Sequence, residues 1–194
     1  MSHRNPDFHP AMRVLHWLMM VMILAMLFIG VGMMSTAGPA YPWLLAIHRP
    51  LGMIVLLLAL IRLPMRLMLG VPALPADLPP MQVLVAKASH VLLYASMIAL
   101  PLIGWAMLSA GGYPVELTKA ISLPRILPHN LHYYELLRSA HTAVALAFYA
   151  LILGHLGAAL FHGMVRRDGV LSSMTAGHGA SEPVHPPAIE PASE

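Results

Sequence analysis

Four long apolar runs limit what this chain can fold into. They cover about residues 11–33, 45–68, 83–109 and 138–164. Crossing the hydrocarbon core of a bilayer takes roughly 20 apolar residues in a helix, and each run is long enough. The runs are separated by segments that break helices. Residues 35–43 form a short turn with Gly and Pro, and residues 70–82 carry four prolines. Residues 110–137 make a longer loop with a Tyr-Tyr pair. Proline removes a backbone donor and clashes with the preceding turn, so these segments end helices rather than continue them. The expected fold is therefore all-α: an integral membrane four-helix bundle over residues 1–171. Residues 172–194, rich in Pro, Ala, Ser and Glu, are expected to form a disordered tail.

Composition sharpens that reading where charge and sulfur are concerned. Only 10% of residues are charged, against about a quarter in soluble domains. The net charge is +3, but the basic residues sit at the ends of the apolar runs. They read as topology signals in a lipid bilayer, not as a nucleic-acid surface. The first run is too long for the apolar core of a signal peptide and lacks a small-residue exit, so it is expected to be a retained helix. The chain has no cysteine. That excludes disulfides, thiolate-held iron–sulfur clusters, thiolate haem ligands and covalent haem attachment.

Four crossings put both termini and the 70–82 loop on one side, with Arg4, Arg13, Arg62, Arg66, Lys87, Arg166 and Arg167. The opposite side holds Arg49, Lys119, Arg125 and Arg138. The bias favours cytoplasmic termini, with the 110–137 loop facing outward.

Twelve histidines are present, and His16, His48, His90, His141 and His155 fall inside the runs. An ionisable side chain at that depth is costly and marks a functional site by default. A neutral imidazole offers a lone pair to a metal, and haem takes such axial ligands. The alternative for any single histidine is a hydrogen bond across helices, with a contribution of about 0.6–2 kcal/mol. No carboxylate lies within the runs to build a mixed metal site.

His141 and His155 are fourteen residues apart, which returns a helix to within about 40° of the same face after a rise of about 21 Å. Between them the stripe runs through Ala145, Phe148 and Ile152. Gly154 and Gly157 flank His155 and leave room for a flat macrocycle. The two imidazoles therefore belong near opposite membrane surfaces, and each needs a partner at its own depth. Depth offers His48 for His141 and His16 for His155. His90 lies level with His155 too, and spacing alone does not choose between His16 and His90.

Other features carry less. Trp17, Trp43, Trp105 and Tyr113 sit near run ends, as interfacial anchors do. Pro101 is expected to kink the third helix. Arg62 and Arg66 are expected to snorkel to the cytoplasmic surface. Arg49, beside His48, could pair with a haem propionate or remain solvated. His162, at the water-facing end of the fourth run, reads more readily as a hydrogen-bonding histidine than as a ligand.

Taken in order, several stretches resemble the bacterial cytochrome b561 family, the four-helix dihaem type that includes superoxide oxidase. They are R-V-L-H-W-L at 13–18, H-R-P-L-G at 48–52, H-V-L-L-Y at 90–94, A-L-P-L-I-G-W at 99–105, H-T-A-V-A at 141–145, G-H-L-G-A-A-L-F-H at 154–162 and R-D-G-V-L at 167–171. The resemblance spans roughly residues 9–175. Pro50 departs from the pattern, and the tail beyond 175 has no counterpart in it.

The resemblance implies two haem b groups held by His16, His48, His141 and His155, with His90 near the cytoplasmic haem or a quinone but not an axial ligand. It implies an oxidoreductase that oxidises superoxide to oxygen at the outer face and reduces ubiquinone in the membrane. Two other readings stay open. One is a cytochrome b subunit passing electrons from a dehydrogenase or hydrogenase partner to quinone. The other is a non-redox membrane anchor or transporter whose histidines pack or relay protons.

Overall fold

The computed structural model describes residues 7–118 and 120–175. Arg4 and Lys119, counted above for topology, lie outside the described residues, as does the expected tail from 176 on. Four helices carry the chain: α1 (Pro10–Ser35), α2 (Ala40–Leu69), α3 (Pro80–Ala110) and α4 (Leu131–Leu160). All four are long and apolar enough to cross a membrane. This is the expected all-α integral membrane bundle.

The helix ends follow local chemistry. Pro10 and Pro80 open α1 and α3, where the missing N–H costs nothing and the fixed φ suits the first turn. Asn130 caps α4, its side chain accepting from the Tyr133 N–H at 3.1 Å. That cap starts α4 seven residues before the apolar run, so the Tyr133–Tyr134 pair is helical rather than part of a loop. Gly70, at φ 74°, ends α2 in a conformation that side chains resist. Pro50 and Pro64 lie inside α2, and Pro101 inside α3.

Between α3 and α4 the chain makes a small hairpin, with β1 (Val115–Glu116) antiparallel to β2 (Ser122–Leu123) and Val115 opposite Leu123. The Trp105 indole donates to the Pro124 carbonyl at 2.8 Å, and the Asn130 N–H to Ala110 O at 2.9 Å, folding this loop onto the end of α3. At the other end, α4 runs into a π-helical turn, Phe161–Arg166, followed by Arg167 at φ 51°. A short 3-10 turn, Ser172–Met174, follows. The segment expected to be disordered thus begins in a hydrogen-bonded turn, closed by the Ser172 and Ser173 hydroxyls on the Gly169 and Val170 carbonyls.

In the bundle α1 packs on α2, α2 on α3 and α3 on α4, with no comparably close approach of α1 to α4. The interior is thin. Met19, Val55, Ala59, Tyr94, Met97 and Phe148 form its buried apolar cluster, with Ile152 packed against it. Phe148 and Ile152 are the residues expected between the two histidines of α4, so the cluster separates two levels. We call the level near the start of α1 proximal and the other distal.

Candidate functional site

At the distal level, α2 and α4 bring His48 and His141 together, ring centroids 6.2 Å apart and planes inclined at 67°. Both Nδ1 atoms are buried without a hydrogen-bond partner. The Leu100 carbonyl lies beside His141 but outside hydrogen-bond geometry. Orphaned polar atoms at membrane depth are costly. Arg49, next to His48, adds a third, its buried Nε also without a partner. Gly104 of α3 gives His141 its space, since a Cβ there would stand 3.4 Å from the ring.

The proximal level is more crowded. His16 of α1 and His155 of α4 face each other at 6.4 Å and 70°. His90 of α3 also faces His155, at 5.6 Å and 81°. The His90 Nδ1 lies 2.7 Å from the Ala86 carbonyl, so as the Nδ1–H tautomer it is satisfied within its own helix. Above these rings sits Arg62, which does not snorkel as expected. Only 5% of it is exposed. Its Nε donates to the Tyr94 hydroxyl at 2.9 Å, and Nη1 to the Met12 carbonyl at 3.4 Å. Those acceptors hold the guanidinium inside the bundle. Its charge acts on His16, His90 and His155 alike. Arg66 lies over the Tyr94 ring at 5.9 Å.

Among the described residues, no group of three or more His, Asp or Glu could hold a metal ion. Each level instead offers two opposed imidazoles, which suits a cofactor that brings its own equatorial donors. The spacing can be tested. Two metal–imidazole bonds of about 2 Å, plus roughly 1.1 Å from each nitrogen to its ring centre, put the centroids about 6.2 Å apart. The His48–His141 and His16–His155 distances, 6.2 and 6.4 Å, lie close to this. The His90–His155 distance, 5.6 Å, falls about 0.6 Å short. The residues present therefore fit a flat, bis-imidazole-ligated macrocycle at both levels.

Sequence reasoning missed two features of the proximal end. One is the buried Arg62–Tyr94 pair, which joins residues 32 apart in sequence. The other is a strap, residues 167–175, that folds back under α1. Trp17 Nε1 donates to Met174 O at 2.9 Å, Arg13 to Thr175 O at 3.2 Å, and the Phe8 N–H to Ser173 O at 3.4 Å. Trp17 is thus tied to the chain's own backbone as well as placed at an interface, and its ring lies edge-on to His16.

The strap is anchored by polar side chains. His162 Nδ1 lies 2.6 Å from Asp168 Oδ2. Arg166 bridges Asp168 at 2.9 Å and Asp77, in the α2–α3 loop, at 2.6 Å. Burial would raise the Asp168 carboxyl, but hydrogen bonds from His162, Arg166 and the Val170 N–H hold it below the usual carboxylate range.

Residues 7–177 match the prokaryotic cytochrome b561 family. A Yersinia pestis protein named "Probable superoxide oxidase CybB" is 30% identical over 165 residues, covering 82% of this chain and 90% of its own. "Cytochrome b561 homolog 1" of Escherichia coli is 28% identical over 163 residues, covering 82% and 92%.

Proposed function

Because the chain belongs to the prokaryotic cytochrome b561 family, a family of membrane electron-transfer proteins, we propose that it holds two haem b groups and oxidises superoxide. His48 with His141, and His16 with His155, would each hold one haem. Electrons pass to ubiquinone within the membrane. The proximal end faces the cytoplasm of a bacterial inner membrane. The observation that carries the ligand assignment is the spacing of the two pairs, 6.2 and 6.4 Å. When bound, haem supplies one-electron redox chemistry that no side chain here provides.

The net reaction takes two superoxide anions, one quinone and two protons to two dioxygen molecules and one quinol. The chain's own groups ligate, orient and exclude water. His48 and His141 define the distal electron entry, and Gly104 leaves space for the His141 ring. An open recess of about 420 Å³ lies on α4, lined by Arg138, Ser139, Thr142, Ala143 and Leu146. Arg49, Arg125 and Arg138 bring positive charge to that end, partly offset by Glu116 and Glu135. A positive mouth speeds arrival of an anion. The apolar cluster of Met19, Val55, Met97 and Phe148 keeps water from the space between the levels.

Stopped-flow mixing of the oxidised protein with superoxide tests this reading. Haem reduction is expected, slowing as ionic strength rises. A rate independent of salt removes the steering role, and no reduction removes superoxide as the donor.

A further inference from the structure

Among the described residues, Arg62 is the only charged side chain that is buried. It stands fourteen residues after His48 on α2, the interval that separates His141 from His155 on α4. Fourteen residues return a helix to within about 40° of the same face after a rise of about 21 Å. So α4 presents a histidine to each level, whereas α2 presents His48 to the distal level and a guanidinium to the proximal one. The Arg62 charge is felt at His16, His90 and His155. The cation felt at His48 is Arg49 instead.

Taking a charge out of water is costly, and an apolar side chain of similar volume often serves stability as well or better. Arg62 takes part in none of the ion pairs among the described residues. Its hydrogen-bond acceptors, the Tyr94 hydroxyl and the Met12 carbonyl, are neutral. The bundle thus keeps a cation that no carboxylate offsets, at a depth where ionisable groups mark function. A guanidinium does not lose its proton in proteins, so this charge is permanent and Arg62 carries no proton. Its head is fixed by α1 and α3, through buried Met12 and buried Tyr94. Arg66 lies over the Tyr94 ring and covers that anchor from the other side of α2's last turns.

We propose that Arg62 sets the reduction potential of the group held by His16 and His155, raising it above that of the distal group and so drawing electrons inward. The proposal rests on the bis-imidazole haem reading above. Each inward step moves one electron from the distal iron to the proximal iron. No bond forms or breaks, and no proton moves at Arg62. The arriving electron adds negative charge near a fixed positive one, in an interior where Coulomb attraction is stronger than in water. Arg49 is only half-buried, so solvent screens it more strongly at the distal level. The rival is a structural bolt that merely joins α1, α2 and α3.

Spectroelectrochemical titration of the purified holoproteins separates these roles. Arg62→Gln removes the charge and keeps a hydrogen-bond donor. Arg62→Lys keeps the charge and loses the planar fork. The spectrum that survives in His48→Ala identifies the proximal component, and the one that survives in His16→Ala the distal. In Arg62→Gln the proximal midpoint is expected to fall by at least 59 mV, roughly a tenfold change in a one-electron equilibrium, with the distal midpoint unmoved. Arg62→Lys is expected to recover most of that shift. A proximal midpoint unchanged in Arg62→Gln, or lowered equally in Arg62→Lys, overturns the proposal and leaves the ligand reading intact. Wild-type protein without two titrating components removes the ligand reading itself. Should Arg62→Gln fail to retain its proximal haem, the wild-type order decides. A proximal midpoint above the distal one supports the proposal, and the reverse order overturns it.

Discussion

The distal and proximal levels start from the same element, an imidazole pair a little over 6 Å apart, and differ in what surrounds it. At the distal level Nδ1 of both rings and Nε of Arg49 are buried without partners. At the proximal level Arg62 is hydrogen-bonded, His90 is satisfied by its own helix, and a strap closes the end. The distal level is incomplete without something to accept its hydrogen bonds. The proximal level adds to its facing pair side chains that are already hydrogen-bonded within the protein. In lipid a polar network is worth having only when nearly every member is satisfied. This difference predicts that loss of cofactor loosens the distal end first.

The sharpest break of that comparison is Gly104→Leu. A bulky side chain in contact with the His141 ring should remove the distal haem, halving haem per chain, while the proximal spectrum stays. Gly104→Ala should be tolerated, because its Cβ would make ordinary contact. Haem content and reduced spectra of the two variants check this.

Next in size is Arg62→Leu. It leaves the Tyr94 hydroxyl and the Met12 carbonyl without their donor. A buried group left unsatisfied costs about 1–3 kcal/mol. The expected outcome is a lower melting temperature and weaker proximal haem retention, with the distal site unchanged. Differential scanning of the purified protein with haem quantification reads both.

How much of this was legible from sequence divides along the same line. The four crossings and the facing of His141 and His155 came from length and helical period, which need only local information. Ring spacing did not, since it depends on how α1, α2 and α4 are set. Under the proposed haem reading it favours His16 over His90 as the partner of His155. Arg62 was misread because snorkelling is the rule for arginine near a helix end, and its acceptors lie on α1 and α3. The start of α4 was placed late because Leu131–Leu137 is too polar to count as membrane, although Asn130 caps it in plain view. His162 reads from sequence as a hydrogen-bonding group without a named partner. Its partner Asp168 is only six residues on, but across a π turn that no spacing rule anticipates.

The smallest effect lies in the strap. The Asp168 carboxyl is held below its ordinary value in the folded protein. Its stabilising contribution is therefore complete above the unfolded value of about 4 and is lost as pH falls through the folded value. Limited peptic digestion across a descending pH series should show cleavage within residues 167–175 appearing below about pH 4, before the helices are cut. Strap cleavage that does not change with pH would detach Asp168 from this role.

The account stands on two imidazole pairs, and haem counting tests it most directly. A pyridine haemochrome assay on His→Ala variants at 16, 48, 90, 141 and 155 should give two haems per chain in the parent and in His90→Ala. It should give one in each of the other four, with His48 and His141 losing the same spectral component and His16 and His155 the other. One haem in His90→Ala with two retained in His16→Ala would contradict the proximal pairing. A parent protein with a single haem would contradict the account as a whole.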